Sequence, residues 1–259
     1  MPELIEVELY REAATRAANR TVSSVSISTQ KYLKEGTLLT DLRTAVCGSR
    51  LVSARRKGKL LLLEIGTAVI GVRFGMTGRL MVDGEATING LLYTTSEVKQ
   101  EHIRFVMNFD GGGTLAVVDP RGFGNVELNP DETSLGPDAM HISHENLDRL
   151  FTGSRATVKG VLLDQSKISC IGNLLCDEIL WRSGLSPTRV GDSLNAEEIE
   201  RVHRIMRSTI GVLTKRGGSH MGDLQSERHR NGVCPTDGTQ LEQTKVAGRT
   251  SWWCPEHQL

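Results

Sequence analysis

The spacing of apolar residues changes near residues 135–138, and this change constrains the fold of the 259-residue chain more than any other feature. Between residue 22 and about residue 128, short alternating or wholly apolar runs are separated by glycines, a pattern typical of β-strands in a sandwich or barrel. After residue 138, apolar residues recur at helical spacing. We therefore predict an α+β protein with a β-rich half followed by a helical half. The predicted strands cover 51–53, 60–65, 69–74, 79–82, 102–109, 114–118 and 125–128, and the predicted helices cover 144–151, 158–163, 174–183 and 196–216.

Three local signals refine this outline. Leu4 and Val7 recur at helical spacing after a proline suited to a first turn, so a helix should begin almost at residue 1. The DGGG run at 110–113 separates two apolar runs and predicts a hairpin turn. Asn195 is followed three residues later by Glu198, which predicts a capping box at the start of the last helix.

Composition excludes several classes of protein. The longest apolar stretch, residues 60–63, is far shorter than the roughly 20 residues of a membrane helix, and no signal segment opens the chain. The five cysteines are odd in number and do not form the closely spaced, even-numbered set that is typical of a secreted disulfide scaffold. They therefore argue for reduced thiols, with a metal site as one use of them. We therefore predict a soluble, cytoplasmic protein with two small domains or one large one.

The balance of 31 basic and 31 acidic residues hides two basic stretches. Residues 43–59 contain six Lys or Arg and no acid, and residues 201–232 contain seven against two acids. Such clusters can follow a phosphate backbone even in a neutral chain, because counterion release depends on local contacts. A solvated strand or helix face is the commoner origin of any single basic run, and it remains the alternative here.

The tail contains two short motifs, CPTD at 234–237 and CPEH at 254–257, with 16 residues between them. In each motif two residues separate the cysteine from the second candidate ligand, which is the spacing with which a small β-ribbon holds tetrahedral zinc at its tight turns. The alternative is a ribbon without metal, held by packing of Trp252 and Trp253. The predicted ligands of one structural Zn²⁺ are Cys234, Asp237, Cys254 and His257.

Four groups of residues along the chain closely resemble the formamidopyrimidine-DNA glycosylase/endonuclease VIII family. They are MPEL at 1–4 with EVE at 6–8, DPR at 119–121 with FG at 123–124, LDQ at 163–165 running to IGN at 171–173, and GRT at 248–250. The resemblance implies a two-layered β-sandwich with flanking helices over residues 1–135, a helix-two-turn-helix domain over 136–222 and a β-ribbon zinc finger over 223–259. It also implies a monomer that binds double-stranded DNA containing oxidised bases or abasic sites in the cleft between its domains.

The first residues suit this chemistry in their own right. If Met1 is removed, Pro2 presents a secondary amine with a pKa near ~8, so a useful fraction is neutral at physiological pH. Its attack on the sugar C1′ would expel the base and give a cationic iminium, which acidifies the C2′ proton and allows strand cleavage by elimination. Glu3 resembles the family's catalytic acid, which protonates the opening sugar ring. The alternative for the pair is an ordinary first-turn proline and acid.

The resemblance also implies a set of DNA contacts. Lys59 stands where the family places a lysine at the phosphate and sugar of the lesion, with Arg55, Arg56 and Lys57 as alternatives. The remaining phosphate contacts are predicted for Arg73, Asn173 and Arg249. The residues predicted to insert into the opened duplex are Met76, Arg121 and Phe123, a trio that favours the oxidised-purine branch.

Three departures from the family pattern leave parts of this interpretation open. Ile5 replaces a proline of the opening motif. Asp237 and His257 replace two cysteines of the finger, so zinc binding itself is in question. The chain reaches Cys234 soon after Gly217, although a loop over a flipped 8-oxoguanine usually lies there. Preference for oxidised pyrimidines or abasic sites, and a damage-binding module that does not cleave DNA, therefore remain alternatives to excision of formamidopyrimidine and 8-oxoguanine bases.

Overall fold

A computed structural model describes residues 2–88, 91 and 97–259, and the chain divides into two compact units, Met1–Glu132 and Thr133–Leu259. The α+β prediction is confirmed, because strands outnumber helices in the first unit, whereas the second unit is mainly helical in its regular structure. No helix in these described residues is both long and apolar enough to cross a membrane.

Two antiparallel sheets form the first unit. One sheet has five strands in the order β1-β7-β8-β5-β6, and the other has four in the order β2-β3-β4-β9. The strands are β1 Val22–Ile27, β2 Leu51–Lys57, β3 Leu60–Ile65, β4 Ala68–Arg73, β5 Arg79–Val82, β6 Glu85–Ala86, β7 Ile103–Phe109, β8 Thr114–Val118 and β9 Asn125–Leu128. The hairpin predicted at residues 110–113 joins β7 to β8, and β1 is a strand that the apolar pattern did not show.

Helix α1 (Leu4–Thr15) packs on β2, β3 and β5, while α2 (Leu39–Val46) packs on β1. Val7 and Tyr10 of α1 join residues from both sheets in one buried core, which also takes Leu61, Phe105 and Val117. Side chains of both sheets therefore meet across a common interior, as in a two-layered sandwich. The sequence-based expectation of a helix beginning near residue 1 is confirmed.

The second unit contains four helices and a small hairpin. The helices are α3 His144–Phe151, α4 Val158–Leu163, α5 Asn173–Ser183 and α6 Ala196–Arg216, and the hairpin strands are β10 Glu242–Val246 and β11 Arg249–Trp253. Helix α5 contacts α4, α6 and β11, and nine of its residues are buried, so it forms the centre of this unit.

The ends of α6 follow the sequence closely. The side chain of Asn195 accepts a hydrogen bond from the Glu198 N–H at 2.9 Å, and the Glu198 carboxylate accepts one from the Asn195 N–H at 2.9 Å. This is the predicted capping box, which is confirmed. At the other end, Gly217 has φ +94°, a left-handed conformation that favours glycine and stops the helix.

Candidate functional site

Pro2 and Glu3 lie at the start of α1, and both are buried. Glu3 is the N-cap residue, and its backbone N–H donates a 2.8 Å hydrogen bond to Glu6 Oε2 in a capping box. The structural role that the residue types predict is therefore present. The same helix start places a buried acid directly beside the residue that would carry the terminal amine once Met1 is removed.

An ion pair joins α1 to the turn that carries Lys59. Arg56 Nε lies 2.9 Å from Glu8 Oε2, and Arg56 Nη1 donates to the carbonyl of Gly58 at 2.8 Å. Burial alone would raise the pKa of the Glu8 carboxyl, but the hydrogen bonds and charges of Arg56 and Arg11 outweigh it and hold that pKa below its usual value. Glu8 is therefore ionised at neutral pH. Through this ion pair, Arg56 connects α1 to the carbonyl of Gly58, the residue before Lys59.

The structure brings Lys59 and Arg73 to one end of the four-stranded sheet. Lys59 immediately precedes Leu60, and Leu60 is paired with Arg73 in the β3–β4 register. Both side chains are half-buried. Two cations at one sheet end fit the backbone of a polyanion, although their contacts with phosphate stay a prediction.

Met76, Arg121 and Phe123 lie on two neighbouring loops, 74–78 and 119–124. Met76 is half-buried, whereas Arg121 and Phe123 are exposed, with 58% of Phe123 accessible. The Arg121 guanidinium stands 4.6 Å above the Phe123 ring, a cation–π contact. An exposed aromatic ring on a loop is the kind of side chain that can enter a base stack.

A hydrogen bond from Asn173 to the residue after Arg249 brings these two predicted phosphate contacts to one part of the second unit. Asn173 is the first residue of α5, with Gly172 as its N-cap, and its Nδ2 donates to the carbonyl of Thr250 at 3.0 Å. Thr250 follows Arg249, which is exposed at the start of β11. The helix start and the exposed arginine therefore occupy one part of the second unit, and their roles toward phosphate remain predictions.

Three of the four predicted metal ligands lie together. The ligand atoms of Cys234, Asp237 and Cys254 are all within 4.8 Å of one another. Burial raises the pKa of the Cys254 thiol to about 11, while a 2.8 Å hydrogen bond from the Thr239 N–H lowers the pKa of Asp237. Asp237 therefore offers a negative oxygen, and the Cys254 thiol would need a cation to become a thiolate at neutral pH.

The fourth predicted ligand, His257, lies outside that group. Its Nε2 is 2.8 Å from the carbonyl oxygen of Trp181. A carbonyl only accepts, so Nε2 is the donor of this hydrogen bond, and Nδ1 is the ring nitrogen left to bind a metal. N–H groups also point at both sulfurs, from Trp181 to Cys234 at 3.4 Å and from His257 to Cys254 at 3.3 Å. Cys234, Asp237 and Cys254 thus form a group whose sulfur and oxygen donors suit one metal ion such as Zn²⁺, and His257 stays a predicted fourth ligand.

The first basic stretch is not the free cationic surface that its sequence suggests. Arg55 makes a bidentate pair with Glu132 at 2.6 and 2.7 Å and a 2.7 Å contact with Glu64, and Arg56 pairs with Glu8. Acids outside the run therefore pair with two of its six cations, and the sequence-based alternatives to Lys59 at Arg55 and Arg56 are engaged in these pairs. In the second stretch, the exposed cations are Arg204, Arg207, Lys215, Arg216 and Arg230, of which Arg216 pairs with Asp223 at 2.6 Å.

Two buried networks were not assigned a role from sequence. Thr77 hydrogen-bonds Asp119 between the two loops described above. Lys159, fully buried, contacts Asp177 at 2.6 Å and Ser251 Oγ at 2.5 Å. A threonine in a turn and a lysine on a helix carry no pairing signal of their own, because their partners are distant in sequence.

Two family models match most of the chain. Residues 1–126 match the formamidopyrimidine-DNA glycosylase N-terminal domain, and residues 135–223 match the formamidopyrimidine-DNA glycosylase helix-two-turn-helix (H2TH) domain. The matched ranges contain every predicted site residue except Arg249 and the four predicted metal ligands.

Whole-chain relatives extend the match. The chain is 31% identical to a formamidopyrimidine-DNA glycosylase of Bacillus cereus, over 98% of both chains, and 30% identical to one of Arabidopsis thaliana, over all of this chain and 71% of the relative. A solved complex between Lactococcus lactis Fpg and DNA with an abasic site shares the fold, with a TM-score of 0.83, 23% identity and 99% coverage of both chains. The chain belongs to the formamidopyrimidine-DNA glycosylase/endonuclease VIII family.

Proposed function

We propose that this protein is a bifunctional DNA glycosylase and abasic-site lyase that excises oxidised bases from double-stranded DNA through the amine of Pro2. Family membership supports the coarse assignment, a DNA glycosylase in base excision repair. The observation that carries the finer proposal is the buried Pro2–Glu3 pair at the start of α1. A protein that only bound damage would need neither a terminal amine nor an adjacent buried acid.

The reaction begins once Met1 has been removed. The neutral secondary amine of Pro2 attacks C1′ of the damaged nucleotide, the C1′–N bond to the base breaks, and the base leaves with the electron pair and takes up the proton that the Pro2 nitrogen loses. Glu3 donates a proton to the sugar ring oxygen, the ring opens, and the C1′–Pro2 bond becomes a cationic iminium. Loss of the C2′ proton then expels the 3′ phosphate and cuts the strand.

The other predicted residues hold the duplex for this step. Two cations at the end of the four-stranded sheet, the amide side chain at the start of α5 and the arginine at the start of β11 would contact phosphates, and the two neighbouring loops would fill the space left by the flipped nucleotide. The phosphate contacts are Lys59, Arg73, Asn173 and Arg249, and the inserting residues are Met76, Arg121 and Phe123. Because the chain has no net charge and its basic residues lie in local clusters, we expect weak nonspecific binding and a marked loss of affinity with salt.

One Zn²⁺ would be held by Cys234, Asp237, Cys254 and His257. When bound, it supplies folding stability to the tail and takes no part in the reaction. The ligands flank the β10–β11 hairpin on both sides, so the metal would hold the strand that carries Arg249 at a fixed position.

The segment between α6 and Cys234 favours a second substrate class. It contains 17 residues, 217–233, and the Glu178 carboxylate accepts hydrogen bonds from the N–H groups of Asp223 and Leu224 at 3.0 Å each. A short loop that is tied to α5 is poorly suited to fold over a flipped purine. Oxidised pyrimidines and abasic sites are therefore the second candidate substrates beside formamidopyrimidine and 8-oxoguanine bases.

The test is a panel of duplexes carrying formamidopyrimidine, 8-oxoguanine, an oxidised pyrimidine or an abasic site, with base release and strand cleavage measured separately. We expect both events for wild type, with large losses in Pro2→Gly and Glu3→Gln. Glu12→Gln is the matched control, because Glu12 is an exposed acid of the same helix. Full activity in both site variants would refute the mechanism, and tight binding of damaged duplexes without any release or cleavage would show a non-cleaving module.

A further inference from the structure

The two loops that carry Met76, Arg121 and Phe123 are in direct backbone contact. Gly75 has φ +57°, and a Cβ at this position would lie 2.5 Å from the carbonyl carbon of Phe123 and 2.6 Å from the nitrogen of Gly124. Both the left-handed conformation and the lack of space require glycine here. The loops 74–78 and 119–124 therefore touch with no side chain between them at this point.

A buried carboxylate lies beneath this contact. Asp119, which is fully buried, follows β8, and its Oδ2 accepts a 2.8 Å hydrogen bond from the Gly124 N–H and a longer 3.4 Å one from the Tyr32 hydroxyl. Arg104 Nε donates to the backbone carbonyl of Asp119 at 2.8 Å and brings a positive charge close to it. A buried carboxylate needs hydrogen-bond donors to offset its lost hydration. The donors that Asp119 finds therefore fix the course of the 119–124 loop.

The hydroxyl of Thr77 links the two loops. It donates to Asp119 Oδ1 at 2.5 Å and accepts from the backbone N–H of Arg121 at 3.3 Å. Thr77 is 1% exposed and is the neighbour of Met76. The Thr77 side chain therefore contacts both the buried carboxylate of the second loop and the backbone of Arg121.

We propose that Thr77 and Asp119 are positioning residues that hold the two loops as one rigid element, so that Met76, Arg121 and Phe123 enter the duplex together. This inference rests on the proposed function. Unstacking a base pair costs a few kcal/mol, and the inserting side chains must be held in place to offset it. Loops that moved independently would lose conformational freedom at each insertion, and opening of the duplex would be slower.

The test separates opening of the duplex from the chemistry at Pro2. Thr77→Val keeps the shape of the side chain and removes the hydroxyl, which leaves Asp119 Oδ1 and the Arg121 N–H without the Thr77 hydrogen bonds. We expect single-turnover excision from a duplex to fall about tenfold to a hundredfold. Cleavage at an abasic site in a single strand should stay within about twofold of wild type, because no base pair has to be opened.

Thr77→Ser retains the hydroxyl and should restore duplex activity, and Thr87→Val is a matched control in the same unit. If Thr77→Val unfolds at the assay temperature, Thr77→Ala removes the same hydroxyl without strain and should show the same difference between substrates. Fluorescence of 2-aminopurine beside the lesion should rise about tenfold more slowly in the hydroxyl-free variants. Equal losses on both substrates, or no loss on the duplex, would overturn the inference, whereas a folded wild type that is inactive on both would overturn the proposed function.

Discussion

Asp177 stands between two cations in the interior of the second unit, and its removal is the sharpest stability test that the structure offers. Lys159 Nζ lies 2.6 Å from Asp177 Oδ1, Arg228 pairs with Oδ2, and the exposed fractions of the three side chains are 0%, 9% and 1% for Lys159, Arg228 and Asp177. Lys159 also reaches Ser251 Oγ at 2.5 Å. The network therefore joins α4, α5, β11 and the segment before Cys234.

The structure gives both the size and the order of the expected effects. Asp177→Asn leaves two buried cations facing each other without their anion, and loss of one partner from a buried ion pair costs about 3–5 kcal/mol. Lys159→Met leaves Asp177 paired with Arg228, so we expect a smaller cost of about 1–3 kcal/mol. Glu145→Gln, a charge loss at an exposed position on α3, should cost about 0–0.5 kcal/mol.

Urea unfolding followed by tryptophan fluorescence measures these costs in the right part of the chain. All three tryptophans, Trp181, Trp252 and Trp253, belong to the second unit. At a urea dependence of about 1–3 kcal/mol per molar, a cost of about 3–5 kcal/mol in Asp177→Asn should lower the midpoint by about 1–5 M. A cost below about 1 kcal/mol, or a larger loss for Lys159→Met than for Asp177→Asn, would refute the electrostatic account of this network.

Three further outcomes are expected. Phe123→Ala should leave the melting temperature unchanged, because the ring is 58% exposed, and should slow duplex excision about tenfold or more; wild-type excision would contradict its insertion. The hydrogen bond from Arg55 holds the pKa of Glu132 below its usual value, so this stabilisation is present above the ordinary Glu pKa and is lost as the pH falls through the lowered one. Arg55→Met should remove at most about 1 kcal/mol of acid-dependent stability, and pH-stability curves identical to wild type would argue against the pair. Elemental analysis of protein purified without chelator should find close to one zinc per chain, less in His257→Ala, and a wild-type value well below one would contradict the metal assignment.

Much of the fold could be predicted because its signals are local. The change from strand to helix spacing, the DGGG turn at 110–113 and the Asn195–Glu198 capping box each depend on residues that are neighbours in the sequence. Strand β1 was missed, because its sequence VSSVSI buries only its two valines and carries no continuous apolar run. Its place beside β7 is set by pairing with a distant strand.

The candidate site was predictable as a set of residues but not as an arrangement. Sequence showed an acid-free basic run, whereas the fold pairs Arg55 with Glu132, 77 positions away. The Thr77–Asp119 hydrogen bond spans 42 positions, and neither residue type signals the other. Such contacts are fixed only when strands take their register, so local patterns contain no information about them.

Borohydride trapping tests the central claim, a covalent intermediate on Pro2, most directly. Protein processed to expose Pro2 is mixed with a duplex that carries an abasic site or an oxidised base, reduced with borohydride, digested and analysed by mass spectrometry. The account predicts a stable adduct on the peptide that begins at Pro2, which Pro2→Gly forms far less and Glu12→Gln forms as wild type does. An adduct on a lysine with none on Pro2, or no adduct with any substrate, would contradict it.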